Sequence, residues 1–277
     1  DIDTSIEQDF KELEYKTKQK EKYRKYEIDK TNTLKLLNKD KYLYLTNDHV
    51  DKLLKYSPKY SNILEKISKN KGTTFIYTEY KTLEGIAVLS IVLKANGYAP
   101  FIIKKNSNKE YEQIYENEED IYKPKFAFWG EGTAEENEII RKVFNNEFTD
   151  LPDVLREHIT KTFKTNLRGE TIEILLTTKT GAEGIDLKNV RQVHIVEPYW
   201  NPVRIKQVKG RAVRVGSHIQ LPSSERNVSI YLYLATILPD MKKTDRIIEM
   251  DKGGDTSDEV LYELSQKKLK IMETFLR

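Results

Sequence analysis

Three polar side chains around residue 210 recur at the spacing of one helix face. Gln207, Arg211 and Arg214 stand at positions i, i+4 and i+7, which share one side of an α-helix. Arginine presents a planar fork of N–H donors that binds carboxylate or phosphate oxygens in pairs. Two such groups, with Gly210 between them leaving room for close approach, predict a site for a polyanion, most simply a triphosphate. The alternative is a solvated basic helix face without a ligand.

A glycine-containing turn precedes this segment. The run TGAEGIDL at 180–187 follows the apolar stretch IEILLTT at 172–178. Gly181 and Gly184 expose backbone N–H groups, and Asp186 adds a carboxylate beyond them. Ligands of open α/β sheets bind at the carboxyl ends of the strands. Two glycines in a turn are weak evidence alone, and they gain weight from the arginines that follow.

Several other kinds of site are excluded by the sequence. The 277 residues contain no G-x-x-x-x-G-K-[ST] phosphate loop and no Asp-Glu pair after a strand that could hold magnesium. Cysteine is absent, which excludes disulfides, thiolate nucleophiles and Cys-ligated metals. The four histidines are far apart in sequence, so they fit structural or surface roles and no metal site is predicted. No apolar run approaches the ~20 residues of a membrane-spanning helix, so no membrane partner is expected.

Charge is distributed unevenly along the chain. The 47 Lys and Arg against 44 Asp and Glu give a net charge of +3, which taken alone argues against a strongly basic nucleic-acid-binding protein. Residues 107–138, however, hold ten acidic and three basic side chains, whereas residues 188–226 hold eight basic and two acidic ones. Five of the eleven arginines fall in the second stretch. Basic charge therefore gathers around the predicted polyanion site.

The elements that must position these residues alternate between strands and helices. Short apolar runs predict strands at 74–78, 101–103, 126–129, 172–178, 192–197 and 228–235. Cap signals and helical spacing predict helices from Pro58, over 83–97, from Thr133 with its capping box to Glu136, around 151–164, and after the Thr256–Glu259 box. Asn201 and Pro202 start a further helix, expected to run to about Val215. This alternation predicts an α/β fold with a parallel sheet covered on both faces.

Changes in amino-acid composition divide the chain into three parts. Residues 1–56 are highly charged and predict a helical lead-in or linker. Residues 57–238 contain the alternating strands and helices, with acidic 107–138 as a surface loop or insertion. Residues 239–277 end in a helix through Leu261, Leu264, Leu269 and Phe275. We expect one α/β domain with N- and C-terminal helical extensions.

The polar segments resemble the motifs of one protein family. QVKGRAVR at 207–214 resembles motif VI of superfamily-2 helicases, TTKTGAEGIDL at 177–187 resembles their motif V, and FIYTEY at 75–80 fits motif IV. HIVEPYWNP at 194–202 is similar to the DPWWNP signature of the Swi/Snf-like branch. SPKY, GRAVRVGSH and TSDE look closest to helicases of large DNA viruses, the group that includes poxvirus-type early transcription factors. The resemblance implies the RecA-like C-terminal lobe of such a motor.

The resemblance assigns roles around the nucleotide. In superfamily-2 motors ATP binds between two lobes, and the second lobe supplies arginines to the γ-phosphate. Arg214 is then the arginine finger, Arg211 its partner on the phosphates, and Gln207 polarises or senses the same site. The positions implied to face the nucleotide are Gly184, Asp186 and Gly210.

The resemblance also implies contacts to nucleic acid. Motif V would meet the backbone of the nucleic acid, and motif IV ends a strand where phosphates pass. Trp200 and Asn201 would brace the motif VI helix or contact DNA, with pure packing an equal alternative for Trp200. The full set of implied nucleic-acid residues is Tyr77, Thr78, Glu79, Thr178, Lys179, Gly181, Trp200 and Asn201.

Two positions depart from the Swi/Snf-like pattern and leave the branch open. Gly210 stands where QATDRAHR, the usual form, has Asp, and it matches the GRxxR of other superfamily-2 branches. Asp186 stands where remodelling enzymes often have Asn. The choice between DNA and RNA is open as well, because motifs that track a backbone read phosphates rather than bases.

Without a phosphate loop and an acidic box, these residues supply half of an ATPase site. The chain begins with Asp1, so we expect a piece of a longer polypeptide, inactive alone, whose first RecA-like lobe is a partner. ATP and Mg²⁺ are expected only in the full-length protein, with none bound to this chain alone. Other expected partners are nucleic acid, preferably double-stranded DNA, and transcription machinery. A reducing intracellular compartment is expected, and the virion or infected-cell cytoplasm for a viral protein.

Two other functions remain as alternatives. A RecA-like module without a catalytic mate would bind nucleic acid or a protein partner. A Rossmann-type enzyme would use Gly181 and Gly184 for a nucleotide cofactor, although their spacing is not G-x-G-x-x-G and the arginine face would have no role.

Overall fold

The computed structural model describes residues 25–40, 46–47, 50–83, 85–182, 184–237 and 255–275. The helices are α1 25–39, α2 Lys52–Tyr56, α3 Pro58–Lys69, α4 Ile86–Ala95, α5 Ala134–Phe144, α6 Asp153–Thr162, α7 Lys179–Ala182, α8 Pro202–Ala212 and α9 Ser257–Phe275. The strands are β1 Thr46–Asn47, β2 Val50–Asp51, β3 Thr73–Tyr77, β4 Ala99–Pro100, β5 Ile102–Lys105, β6 Tyr111–Ile114, β7 Lys125–Trp129, β8 Ile174–Thr177, β9 Val190–Ile195 and β10 Ser229–Leu232. Short 3₁₀ turns lie at Glu118–Ile121, Phe148–Asp150 and Ser223–Glu225.

Six strands form one parallel sheet in the order β10-β9-β3-β8-β7-β4. Tyr77, the last residue of β3, pairs with Thr177 of β8 and Ile195 of β9. The carboxyl ends of these three strands therefore meet at one edge of the sheet. Every residue of β3 and β8 is buried, as expected for strands covered on both faces.

Helices cover both faces of this sheet. Along β3, Phe75 and Tyr77 face a core formed with α5, α6 and α8, while Ile76 faces a second core formed with α2, α3 and α4. Leu175 on β8 shares the first core, and its neighbours in the strand share the second. The sheet and its helical layers confirm the predicted RecA-like α/β fold.

The predicted helix starts are confirmed by their caps. Ser57 accepts a hydrogen bond from the Tyr60 amide, with Pro58 as the first helical residue, and Asn201 caps α8 ahead of Pro202. The two capping boxes, Thr133 with Glu136 and Thr256 with Glu259, are formed as well. These local patterns need only neighbouring residues, so the sequence specifies them directly.

The region of residues 99–114 differs from the prediction. Ala99–Pro100 is the edge strand of the sheet, whereas Ile102–Lys105, which includes part of the predicted strand 101–103, pairs antiparallel with Tyr111–Ile114. Pro100 lacks an N–H donor, which confines it to a sheet edge. Oδ1 of Asn106 accepts hydrogen bonds from the amides of Asn108 and Glu110 and closes the turn. The acidic segment 107–138 is therefore built from a hairpin strand, β7 and the start of α5 rather than a plain loop.

The described helices at either end agree with helical extensions, α1 before the sheet and α9 after it. Residues 1–24 and 238–254 lie outside the described residues, and the three-part division of the chain stays a prediction. Among the described helices, none is long and apolar enough to cross a membrane.

Candidate functional site

The residues predicted to contact nucleic acid lie in three segments at the carboxyl edge of the sheet. Tyr77–Glu79 continue from β3, residues 178–181 follow β8, and Trp200 and Asn201 follow β9 and begin α8. The parallel registers of β3, β8 and β9 place these segments side by side. Helix α8 runs back from this edge, so Arg211 and Arg214 lie with Asp186 near Val190, at the amino end of β9.

Three contacts join motif V to the residues of motif VI. Nη1 of Arg214 lies 2.9 Å from Oδ1 of Asp186. The amide of Leu187 donates to the carbonyl of Arg211 at 3.2 Å, and that of Asn189 donates to Ser217 at 2.9 Å. Segments 186–189 and 211–217 therefore form one hydrogen-bonded unit.

Helix α8 ends three residues before its predicted end near Val215. In a continuing helix the Arg211 carbonyl would accept from residue 215, but the Leu187 amide occupies it instead. Arg214 consequently lies in the turn after the helix, and the predicted common helix face holds only for Gln207 and Arg211. The expectation of a helix to Val215 was wrong because a contact from a distant segment ends the helix.

Arg211 carries an unused donor. Its Nε is buried and has no hydrogen-bond partner among the described residues. A buried polar group left unpaired costs about 1–3 kcal/mol. One turn earlier on the same helix, Gln207 is exposed. The Arg211 side chain therefore keeps one donor that the described residues do not satisfy.

Arg214 is held by a contact that a ligand can displace. Its ion pair with Asp186 is solvent-exposed, with 41% and 57% of the two side chains accessible, and such pairs contribute about 0–1 kcal/mol. Its Nε also donates to the carbonyl of Gly210 at 3.1 Å. A Cβ built on Gly210 or on Gly184, which has φ +85°, meets nothing within 4 Å. Both glycines thus border open space next to Arg214 and Asp186.

Close packing explains why residue 181 is a glycine. A Cβ there would lie 2.2 Å from Oγ1 of Thr177 and 2.6 Å from the carbonyl oxygen of Trp129. The indole of Trp129 donates to the Gly181 carbonyl at 2.7 Å, and the Gly181 amide donates to Thr178 at 3.1 Å. The amide expected to meet nucleic acid is therefore engaged within the chain, whereas the Lys179 side chain is exposed.

Alanine at the two glycines is expected to have opposite effects on stability. Gly181→Ala forces the backbone of motif V to shift, which should lower the free energy of unfolding by about 1–3 kcal/mol or more. Gly210→Ala has space for its methyl group within α8 and should raise it by about 0.5–1 kcal/mol. Urea unfolding of this chain measures both. Equal effects of the two substitutions would contradict the geometry.

Motif IV ties β3 to α8. The Tyr77 hydroxyl donates to Oε1 of Glu79 at 2.5 Å, and Arg204 donates to both oxygens of Glu79 at 3.2 and 3.0 Å. The Thr78 hydroxyl donates to Glu197 at 3.1 Å. Tyr77 is only 1% exposed. These side chains are committed to contacts within the chain, and their contact with nucleic acid stays a prediction.

Glu197 is a half-buried carboxylate two residues after β9. Its two oxygens accept hydrogen bonds from the Thr78 hydroxyl and, at 3.0 Å, from the Glu79 amide. Burial outweighs these bonds and raises the pKa of Glu197 to about 7. Burial likewise raises the pKa of Glu173, before β8, to about 7. Burial and the neighbouring Glu79 raise the pKa of Tyr77.

These two carboxyl groups predict a pH dependence of stability. A glutamate in the unfolded chain titrates near 4.5, so between pH 4.5 and 7 these two groups bind more protons in the folded chain than in the unfolded one. They outnumber His194, whose pKa burial lowers to about 3 and which acts in the opposite sense. The free energy of unfolding should therefore decrease as the pH rises through this window. Thermal unfolding from pH 5 to 8 measures it. Glu197→Gln should weaken this dependence, and Glu157→Gln, on the surface of α6, should not.

Trp200 and Asn201 connect α8 to its surroundings. Oδ1 of Asn201 accepts the Val203 amide at 3.0 Å, so Asn201 braces the motif VI helix, one of the two roles expected for it. Trp200 is 41% exposed, and Nζ of Lys268 on α9 lies 3.7 Å from its ring centre. The indole therefore carries a cation on one side and retains accessible surface.

Four polar residues were missed by the sequence reasoning. Asn145, the C-cap of α5, donates to the Asp186 carbonyl at 2.9 Å and accepts from the Lys188 amide at 2.8 Å, and so fixes motif V. Asn166 supports the entry to β8, and Ser217 and His218 contact the Arg214 turn. The sequence offers one signal for Asn145: an asparagine directly after an apolar helix end is typical of a helix C-cap.

Comparison with known proteins agrees with this arrangement. Residues 140–216, from α5 to the Arg214 turn, match the helicase conserved C-terminal domain. The chain is 32% identical over 240 residues to the termination factor NPH-I homolog of African swine fever virus, covering 79% of this chain and 31% of that protein. It is 30% identical over 194 residues to the early transcription factor large subunit homolog of the same virus, covering 68% and 16%.

Among solved structures, the C-terminal part of the Fun30 ATPase domain aligns with a TM-score of 0.38 at 17% identity, covering 82% of this chain and 57% of that one. The chain spans less than a third of the length of the viral relatives described above.

Proposed function

This chain carries the C-terminal RecA-like domain of a superfamily-2 helicase, and we propose that it is the second motor lobe of an ATP-dependent double-stranded-DNA translocase or helicase. One observation carries the proposal. The buried Nε of Arg211 lacks a partner while Arg214 stands beside it in an exposed, displaceable ion pair. Two guanidinium groups at a sheet edge, one unsatisfied, suit a triphosphate.

In this proposal each arginine has its own task. Arg211 binds phosphate oxygens on arrival, because its unsatisfied donor gains a partner. Arg214 is the arginine finger, which neutralises charge that develops on the γ-phosphate in the transition state. Gln207 senses the same phosphates, and Gly184 and Gly210 admit the nucleotide to the open space they border.

Asp186 keeps Arg214 in place before ATP arrives. The Asp186–Arg214 pair is exposed and screened by solvent. A triphosphate carries several negative charges where Asp186 carries one, so it competes well for the same guanidinium. In this proposal Asp186 affects nucleotide binding by pairing with Arg214, and it does not bind a metal ion.

Nucleic acid would be contacted at the carboxyl edge of the sheet. Lys179 is exposed after β8, and Trp200 offers accessible ring surface after β9. Lys179 is suited to a phosphate backbone through its charge, and the Trp200 ring is suited to apolar contact with the sugars. We infer that these residues, with Thr178, carry the main contacts, and that Tyr77, Glu79 and Gly181 act by holding the surface in shape.

The other half of the ATPase site has to come from a first lobe, which would hold the triphosphate and Mg²⁺ in a phosphate loop. One viral relative is named as a termination factor homolog and the other as an early transcription factor large subunit homolog. We infer that the full-length protein works with transcription machinery in the infected-cell cytoplasm.

The test compares ATP hydrolysis by this chain and by the full-length protein, each with and without double-stranded DNA. This chain alone should show no turnover above background, and the full-length protein should show turnover that DNA stimulates. A full-length protein that binds DNA but never hydrolyses ATP would favour a non-catalytic RecA-like module. Stimulation by RNA alone would overturn the choice of DNA.

A further inference from the structure

The turn that presents Arg214 lacks hydrophobic anchors of its own. It runs from Val213 to Gly216, and the side chains of Val213 and Val215 are 49% and fully exposed. Gly216 has φ +79°, a left-handed conformation that lets the chain reverse. Something other than packing therefore has to fix the backbone at Arg214.

Ser217 makes that connection. Its hydroxyl lies 2.8 Å from the Arg214 carbonyl, its amide donates to the same carbonyl at 3.1 Å, and the Arg214 amide points at the hydroxyl at 3.4 Å. The hydroxyl thus lies within hydrogen-bond distance of both backbone polar groups of Arg214. Ser217 is 9% exposed, so water competes little for these bonds.

His218 links Ser217 to the central sheet. Its Nδ1 lies 2.7 Å from the Ser217 hydroxyl, and its Nε2 lies 2.6 Å from the carbonyl of Val190, the first residue of β9. A carbonyl only accepts, so Nε2 carries a proton and donates it to Val190. The ring is 8% exposed and has one fixed orientation. The Ser217 carbonyl adds a second anchor by accepting the Asn189 amide.

We propose that Ser217 and His218 form a latch that transmits the rigid position of β9 to the backbone of Arg214 and thereby positions its guanidinium for the γ-phosphate. The inference rests on the proposed function and adds two positioning residues to it. Both side chains are buried and engaged, so neither contacts the nucleotide. Their effect acts through geometry, where a displacement of about 1 Å costs on the order of 100-fold in rate.

The experiment measures steady-state and single-turnover ATP hydrolysis of the full-length protein with DNA. Ser217→Ala should lower kcat by about 10- to 100-fold and leave KM for ATP within about twofold, because the latch acts on transition-state geometry. His218→Gln, which can still reach Val190 but not Ser217, should give the same loss. Near-ultraviolet circular dichroism confirms that each variant is folded.

A double mutant separates positioning from a general structural role. In an Arg214→Ala background, Ser217→Ala should cause no further loss of the residual turnover, since the group it positions is gone. An undiminished further loss there, or near-normal kcat for Ser217→Ala and His218→Gln in the parent, would overturn the latch while leaving the arginine finger intact. Near-normal turnover of Arg214→Ala itself would overturn both the finger and the latch.

Discussion

Replacing Arg214 by alanine in the full-length protein is expected to lower DNA-stimulated ATP turnover by roughly 10³- to 10⁵-fold, the range that arginine fingers contribute. The loss should appear in kcat, because the charge on the γ-phosphate oxygens develops in the transition state. Stability should change little, since the ion pair that Arg214 makes among the described residues is the exposed one with Asp186. Steady-state hydrolysis assays and thermal unfolding measure the two quantities.

A matched control tests whether removing an arginine elsewhere on the surface lowers turnover in the same way. Arg156 forms an exposed ion pair with Asp153 on α6, away from motifs IV, V and VI in the sequence. Arg156→Ala should keep turnover within about twofold of the parent protein. Arg214→Lys retains the charge without the bidentate fork and should recover only a small part of the activity. Near-normal turnover of Arg214→Ala would contradict the proposed role.

The largest effect on stability is expected at Asn166. Its Oδ1 accepts the amides of Thr171 and Ile172 at 2.7 and 2.8 Å, and its Nδ2 donates to the carbonyls of Phe144 and Ile172 at 3.0 and 3.2 Å. Asn166 is fully buried, so water cannot replace these bonds. Asn166→Ala should lower the free energy of unfolding by about 3–5 kcal/mol, because several buried groups lose their partners at once.

Chemical denaturation of this chain measures the change. Asn108, exposed in the β5–β6 turn, serves as the control, and Asn108→Ala should alter stability by no more than about 0.5 kcal/mol. Asn166→Asp keeps an acceptor but loses the amide donors and buries a charge, so it should not rescue stability. A loss below about 1 kcal/mol for Asn166→Ala would show that the surroundings rearrange to satisfy these groups.

Much of the fold could be predicted from the sequence because its signals are local. Apolar runs such as TFIYT and ILLT are covered on both faces, and they lie within a residue or two of their predicted positions. The helix starts at Pro58, Ala134 and Pro202 depend on caps at neighbouring positions. Parallel pairing of β3, β8 and β9 then places the residues that follow these strands side by side.

The parts that could not be predicted depend on contacts between distant residues. The end of α8 is fixed by the hydrogen bond from the Leu187 amide to the Arg211 carbonyl. Tyr77 is buried on the face of the sheet that α8 covers, where its hydroxyl donates to Glu79. Asn166 and His218 have no local pattern, because their partners are backbone groups placed by the fold. The sequence shows which side chains could bind a ligand. Hydrogen bonds between distant segments determine which of those donors remain unpaired in the folded chain.

The central position of β3 has a consequence during synthesis. This strand is made before its two neighbours, β8 and β9, which begin at Ile174 and Val190. The ribosome adds about 5–20 residues per second, so the apolar segment TTFIY stays unpaired on both edges for about 5–20 s before β8 is synthesised. A nascent chain of this length exposes an aggregation-prone edge that the finished lobe buries completely. Chaperone binding to translating ribosomes should therefore be strongest in this interval and end once β8 and β9 emerge.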